Sequence, residues 1–357
     1  MTAPHLVVIN NVPARYRTAS FAALEEEWSQ TTGGRMTVVY QARRDPRRRP
    51  EWFFSPDEEL TFAHRFLSNA CLSFSKVTLY RPAAARGVID GLSPTHLLIA
   101  GWDTPVARGA LRYATRSGAR AVLWVESNTS TGSRAGRALG AVKKRLARRA
   151  AAFLVPTEAS RSFVRRFAPD ASVAVVPNPV SWDRLPKASS TPSRRIIFVG
   201  EFSHRKGFDI FLDACRALGP TWSGEAWGKD SEGLGSGAPD NCRLHSGGAP
   251  LGEIVQLLRS DDVWAIPSRR DPAPLTYSEA LALGLRIVVS PAIAYAQHAR
   301  GTAGVELMED MTGEAAAAAV LRVTAADRPS AEAGAEVTNP AWARRVVELF
   351  EVAGSRR

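Results

Sequence analysis

Two acids and two cations in the second half of the chain have the types and spacing that chemistry requires. Asp271 and Glu279 stand with seven residues between them in Pro267-Ser268-Arg269-Arg270-Asp271-Pro272-Ala273-Pro274-Leu275-Thr276-Tyr277-Ser278-Glu279-Ala280-Leu281-Ala282-Leu283-Gly284. Asp271 precedes a proline, which disfavours helix there and puts it on a loop, whereas Glu279 falls in the first turns of the next helix. The helix amides from about Leu275 to Tyr277 then lie between the two carboxylates and can donate to a phosphate at the positive end of the dipole. A carboxylate at Glu279 can accept both vicinal hydroxyls of a ribose, and Asp271 can meet hydroxyls of a sugar. The plainer alternative is that the two acids only favour a helix N-terminus. Upstream, Arg205 and Lys206 follow the apolar run Ile196-Ile197-Phe198-Val199-Gly200 and come just before a helix. Cations there can neutralise a diphosphate, most of all as charge collects on a departing phosphate, or they are a solvated helix start.

Placing such groups requires strands that feed loops and helices. Leu6-Val7-Val8-Ile9-Asn10 is a β-branched run, and residues 19–29 carry apolar side chains at helical spacing. The alternation continues with strands at 36–40, 96–100, 120–125, 152–155 and 173–176 and helices at 105–115, 133–149 and 159–167. Repeated strand and helix imply a parallel sheet covered on both faces. Residues 177–193, rich in Pro, Ser and Lys, read as an interdomain linker, after which the pattern restarts with strands at 195–199, 262–266 and 286–289 and helices at 207–217 and 275–283. Segment 340–352 starts with Pro at a first helical position and sets Trp342, Val346, Leu349 and Phe350 on one stripe, as a terminal docking helix would. Gly233-Leu234-Gly235-Ser236-Gly237 does not run from a strand into a helix, so it reads as a loop and not a dinucleotide fingerprint. Ligands of doubly wound sheets bind outside the carboxyl ends of the strands, which sets the expected site in a cleft between two facing domains.

Composition bounds the reading. At 357 residues the chain exceeds what one core usually supports. Its 45% hydrophobic and 23% charged residues exclude a disordered or collagenous chain. No stretch reaches the ~18 apolar residues of a membrane span, and the first residues enter a strand without a secretory leader. Cys71, Cys215 and Cys242 lie far apart with no Cys-x-x-Cys pair, and none of the 6 His is paired at ligand spacing. The expectation is therefore a reducing cytoplasm and no metal site. The net charge of +11 favours a polyanionic partner. Nucleic acid is disfavoured, because the basic clusters are not interleaved with stacking aromatics. An anionic membrane surface and phosphorylated small molecules remain.

At residues 271–284 the chain resembles the family 4 glycosyltransferases, enzymes of GT-B fold. Their signature here is Glu-Pro-Phe-Gly-Leu, three variable residues, then Glu-Ala-Met-Ala and Gly. Glu279, Ala280, Ala282 and Gly284 match in register; Asp271 stands for the first Glu, and Pro274 for a Gly, which removes one amide from the phosphate cradle. The family's Val-Gly-Arg, short loop and Lys-Gly matches Val199-Gly200, with Glu201 in place of the Arg, and Lys206-Gly207. The resemblance implies that Glu279 holds the donor ribose, that Asp271 contacts the transferred sugar, and that Lys206, with Arg205 supplying the missing charge, steadies the diphosphate with the amides near Leu275 and Thr276. Gly224-Glu225-Ala226-Trp227-Gly228-Lys229 lies where members carry a Gly-rich turn after a strand, and Leu244-His245-Ser246-Gly247 where they carry a loop near the base.

In the first half, Asn10-Asn11-Val12-Pro13-Ala14-Arg15-Tyr16-Arg17 is similar to a stretch in a subset of that family. Asn10 ends its strand and should point into the site; Arg17 or Arg15 fits a donor phosphate or an anionic acceptor, against an exposed arginine without a role. The resemblance also puts a His or an acid near the acceptor hydroxyl, for which Asp103 is the candidate, as proton acceptor or acceptor-positioning group, against a plain N-cap of the helix near Thr104. Glu126 is a similar acceptor-side candidate. Segment 133–149 carries Arg134, Arg137, Lys143, Lys144, Arg145, Arg148 and Arg149 around apolar Leu139, Val142 and Leu146. It resembles the membrane-surface helix of lipid-acceptor members, or it is a solvated face packed through its apolar stripe. Residues 43–49 form a second basic cluster.

The expectation is an α/β chain of GT-B fold with two facing Rossmann-like domains at 1–180 and 194–335 and a helix at 339–357 returning to the first. It would be a metal-independent retaining glycosyltransferase without a cofactor, moving a hexose-type sugar from a nucleotide diphosphate sugar to a glycan, lipid-linked or small-molecule acceptor. It would be cytoplasmic, with an anionic membrane surface met through 133–149. An epimerase of the same fold, or a catalytically silent partner subunit, is the alternative that Glu201 and Pro274 suggest.

Overall fold

The apolar runs of the sequence become strands buried on both sides. The computed structural model describes residues 3–44, 60–68, 72–74, 77–79, 85–102, 104–128, 137–180, 190, 193–247 and 251–354. They divide into two units, the first made of residues 1–156, 160–176 and 339–357 and the second of 157–159 and 177–338.

In the first unit, β1 (His5–Asn10), α1 (Arg15–Thr32), β2 (Arg35–Tyr40) and β3 (His64–Phe66) are followed by a short antiparallel pair, β4 (Leu72–Phe74) and β5 (Val77–Leu79). Next come α2 (Ala85–Leu92), β6 (His96–Ala100), α3 (Pro105–Ser117), β7 (Arg120–Trp124), α4 (Arg137–Ala147), β8 (Ala152–Val155), α5 (Glu158–Arg165) and β9 (Ser172–Val175). The parallel sheet runs β3-β2-β1-β6-β7-β8-β9. Alternation sorts its side chains into two layers. Val7, Ile9, Leu97 and Ile99 pack with Val106, Ala110 and Leu111 of α3, while Leu6, Val8, Leu98 and Val122 pack with Phe21, Leu24 and Trp28 of α1.

The second unit holds β10 (Arg195–Val199), a 3-10 turn (His204–Lys206), α6 (Phe208–Leu218), β11 (Ser223–Trp227), β12 (Cys242–His245), α7 (Leu251–Leu257) and β13 (Val263–Ile266). It continues with α8 (Leu275–Ala282), β14 (Arg286–Val289), α9 (Ala296–Ala299), β15 (Val305–Leu307), α10 (Gly313–Ala325) and α11 (Ala331–Ala335), in a parallel sheet ordered β12-β11-β10-β13-β14-β15. Ile196, Phe198 and Ala265 meet α6 and α10 on one face; Ile197, Trp264 and Ile266 meet α7 and α8 on the other. This unit already begins at Pro177: Val180 is buried, its amide donates to the Val337 carbonyl at 2.8 Å, and the Asn178 amide reaches the Tyr295 hydroxyl.

The chain then re-enters the first unit as α12 (Asn339–Gly354), which packs along α1. Trp342, Val346, Leu349 and Phe350 are all buried, with Phe350 edge-on to Trp28 and Trp342 against Trp124. Ser20 on α1 donates to Asn339 Oδ1 at 2.8 Å, closing the start of the helix.

Both sheets are doubly wound, and each order of strands fixes where a ligand crevice opens. Successive units leave β1 and β6 in opposite directions in the first sheet, and β10 and β13 in the second. The loops that follow those strands part there, which makes the carboxyl ends of the two pairs the natural sites.

Candidate functional site

At the β10–β13 switch point the structure brings together Lys206, Asp271 and Glu279. The chain leaves β10 at Gly200, whose amide continues the sheet to the Trp227 carbonyl at 2.9 Å. A side chain at Gly228 would meet the Gly200 carbonyl, so the two strand ends approach as closely as glycine allows. The turn His204–Lys206 ends at Gly207 with φ +71, where a Cβ would run into the Pro267 carbonyl oxygen; the loop after β10 is thereby pressed onto the loop after β13. Polar bonds fix the same contact. The Arg269 amide donates to the Arg205 carbonyl at 3.0 Å, and the Arg269 guanidinium grips both oxygens of Asp209 at 2.6 and 2.7 Å. The Ser290 hydroxyl donates to the Ser268 carbonyl at 2.6 Å.

Lys206 Nζ donates to Asp271 Oδ2, an ion pair whose carboxylate side chain is 9% exposed. Glu279 lies on α8, and burial pushes its carboxyl up to about 7 against the opposing pull of Lys206. No side chain caps the N-terminus of α8 at Pro274. The Tyr277 amide bonds back to the Pro274 carbonyl at 3.1 Å, so the cradle expected from Leu275 to Tyr277 narrows to the amides of Leu275 and Thr276. Arg205 ion-pairs with Glu201 at 3.2 Å: the acid at the family's Arg position meets the cation expected to replace it. Arg270, one residue before Asp271, pairs with no carboxylate among the described residues and is the cation that spacing arguments did not single out.

At the β1–β6 switch point a cavity of about 190 Å³ is lined by Asn10, Asn11, Val12, Tyr16, Arg17, Ala100, Gly101, Trp124, Glu126 and Ser127. Arg17 is no exposed arginine. Its guanidinium carbon sits 4.1 Å from the centre of the Trp124 ring, its Nη2 donates to Glu126 Oε1 at 2.6 Å, and its Nη1 is buried without a partner. Burial works against its charge, but Glu126 and the Tyr16 hydroxyl hold its pKa above the ordinary value. Asn10 is 5% exposed; its Oδ1 accepts the Asn11 amide at 2.7 Å and its Nδ2 has no partner.

Other expectations change or fall outside the described residues. Asp103 lies outside them, and the N-cap of α3 is Thr104, whose hydroxyl accepts the Ala107 amide at 3.1 Å. Residues 223–227 are β11 itself and not a turn after a strand, and Leu244-His245 ends β12 with His245 stacked on Trp227. On α4 the apolar stripe is not the one that spacing suggests. Val142 is exposed, while Lys143 is buried with its ammonium 5.2 Å from the rings of Trp102 and Phe163. Arg134, residues 45–49 and the side chains of Arg15, Arg137 and Leu139 lie outside the described residues. Among the described residues no helix is long and apolar enough to cross a membrane.

Two doubly wound units, each with polar side chains gathered at its switch point, form a GT-B fold. The chain is similar in structure to the lipopolysaccharide outer core galactosyltransferase WaaB, with a TM-score of 0.69 and 14% identity over 98% of this chain and 99% of that one. Anabaena HepE in complex with UDP and glucose gives 0.65 and 12% over 99% and 98%. The sucrose-phosphate synthase of Thermosynechococcus elongatus gives 0.65 and 15% over 99% and 97%. At such identities the likeness is one of fold. In sequence, residues 193–326 match the family of group 1 glycosyl transferases, a span that contains Arg205, Lys206, Asp271 and Glu279. No curated protein matches the chain in sequence.

Proposed function

We propose that the chain is a retaining glycosyltransferase that moves a hexose-type sugar from a nucleoside diphosphate sugar to an acceptor hydroxyl. The observation that carries this is the grouping of Lys206, Asp271 and Glu279 beside the uncapped N-terminus of α8, inside the segment matching the group 1 glycosyl transferases. HepE, of the same fold, has been solved with UDP and with UDP-glucose, which supports a nucleotide sugar as ligand here.

In this reading Glu279 accepts the two ribose hydroxyls as a carboxylate and gives up a proton when the nucleotide binds. The diphosphate takes the amides of Leu275 and Thr276 and draws Lys206 from Asp271, whose carboxylate then meets hydroxyls of the transferred sugar. Lys206 and Arg205 stabilise the charge that collects on the departing β-phosphate, so no divalent metal is required. The acceptor hydroxyl attacks from the face the diphosphate leaves, and that phosphate takes its proton. Asp103, with Arg17 and Glu126, serves the acceptor, a glycan, lipid-linked saccharide or small glycoside. Exposed Lys144, Arg145 and Arg148 beside Val142 suit an anionic lipid surface on the cytoplasmic side.

The test is product analysis with a panel of nucleotide sugars in the presence of EDTA. Transfer with the donor's anomeric configuration kept, and lost in Glu279→Ala, is the expected outcome. An epimerised nucleotide sugar without transfer, or a Glu279→Ala enzyme as active as the parent, overturns the assignment.

A further inference from the structure

The cavity at the β1–β6 switch point holds unmet donors in a charge-neutral setting, and this constrains what fills it. Arg17 Nη1 and Asn10 Nδ2 are both buried with no partner, and both residues line the same space. A buried donor left unpaired costs about 1–3 kcal/mol, so oxygens that reach these two, from water or from a ligand that displaces it, are favoured. The charge of Arg17 is already met by Glu126 Oε1, and Glu126 lines the cavity with its side chain 41% exposed. An incoming carboxylate or phosphate would therefore lie against a like charge, and among the described residues that line the cavity Arg17 is the one cation. A hydroxyl meets no such conflict, because its oxygen can accept from Arg17 or Asn10 while its proton goes to Glu126. Two neighbouring hydroxyls would engage all three groups. The volume of about 190 Å³ is room enough for one sugar ring. Tyr16, 41% exposed, also lines this space and supplies an aromatic side chain beside the ligand.

We propose that this cavity binds a pair of adjacent hydroxyls on an uncharged saccharide, and that the Arg17–Glu126 pair selects neutral acceptors over anionic ones. The inference rests on the acceptor-side reading of the first unit and names the substrate class of that site. It reverses the expectation that Arg17 attracts an anion.

The full chain, without any nucleotide, is titrated with methyl glucoside, methyl galactoside and methyl mannoside and with the corresponding methyl uronosides by saturation-transfer NMR. At least one neutral glycoside binds at millimolar concentration, and its uronoside binds at least ~10-fold more weakly. Arg17→Met loses the neutral ligand by ~10-fold or more. Glu126→Gln, which keeps the shape and removes the charge, narrows the gap between the neutral glycoside and its uronoside; it also guards against an Arg17 variant that fails to fold. Failure of every glycoside at tens of millimolar, equal binding of the uronoside by the parent protein, or a gap unchanged in Glu126→Gln overturns the proposal. UDP binding, measured separately by thermal shift, reports on the donor half, so loss of the transferase reading and loss of this one are told apart.

Discussion

Replacing Glu279 by glutamine separates the cost of the site from its use. The carboxyl titrates at about 7 in the folded chain against an ordinary value of 4.5. The folded state therefore holds a proton that the unfolded state has released, and stability falls as pH rises from about 4.5 through 7. A gap of roughly two and a half pH units at ~1.36 kcal/mol each is about 3 kcal/mol; Glu279 is not fully shielded from solvent, which brings this to about 2. Glutamine keeps the shape and removes the charge. Near pH 4.5 the two proteins should unfold together, and at pH 8 the second unit of Glu279→Gln should melt ~4–8 °C higher. UDP at a hundred times its Kd should raise the parent by about 2.7 kcal/mol and the variant by far less, because the amide has one acceptor oxygen where the carboxylate has two for the ribose hydroxyls. Differential scanning fluorimetry across pH, with and without UDP, reads both effects. Parallel melting curves for the two proteins across that range would refute the reasoning.

Lys206→Met strands the Asp271 carboxylate beside an apolar side chain; it should cost ~2–4 kcal/mol in urea unfolding and lower kcat by ~100-fold or more, whereas Lys206→Arg recovers most of the stability. Glu201→Gln releases Arg205 from an exposed ion pair worth ~0.2–1 kcal/mol, so calorimetry should show UDP bound up to ~5-fold more tightly. Vesicles rich in anionic lipid should retain the protein in sedimentation; neutral vesicles, ~1 M salt or the triple variant Lys144→Gln, Arg145→Gln, Arg148→Gln should release it.

What could be read from the chain follows from which signals are local. The strands from Leu6 and Ile196 and the terminal stripe from Trp342 to Phe350 were legible because burial on two faces, or on one helical stripe, leaves a periodic mark. β11, Ser-Gly-Glu-Ala-Trp, and β12, Cys-Arg-Leu-His, leave little mark, since a glycine, an acid and a histidine hide strands that their neighbours define. The alanine-rich α10 lacks the bulky side chains that reveal a face. Asp271 and Glu279 were legible as a spaced pair, but Asp271 turning to Lys206 and Glu201 turning to Arg205 are contacts that no spacing encodes. The same limit hid the burial of Arg17, which depends on Trp124 and Glu126 more than a hundred residues away.

The return of α12 to the first unit reverses the order in which the molecule can mature on the ribosome. Unit 2 is complete once Thr338 has been made, whereas unit 1, begun far earlier, still lacks the layer that covers Trp28 and Trp124. Its half-covered sheet must wait with aromatic surface open to chaperones or to self-association until the last segment arrives. A truncation at Thr338 should therefore spare the second unit and aggregate through the half that was synthesised first.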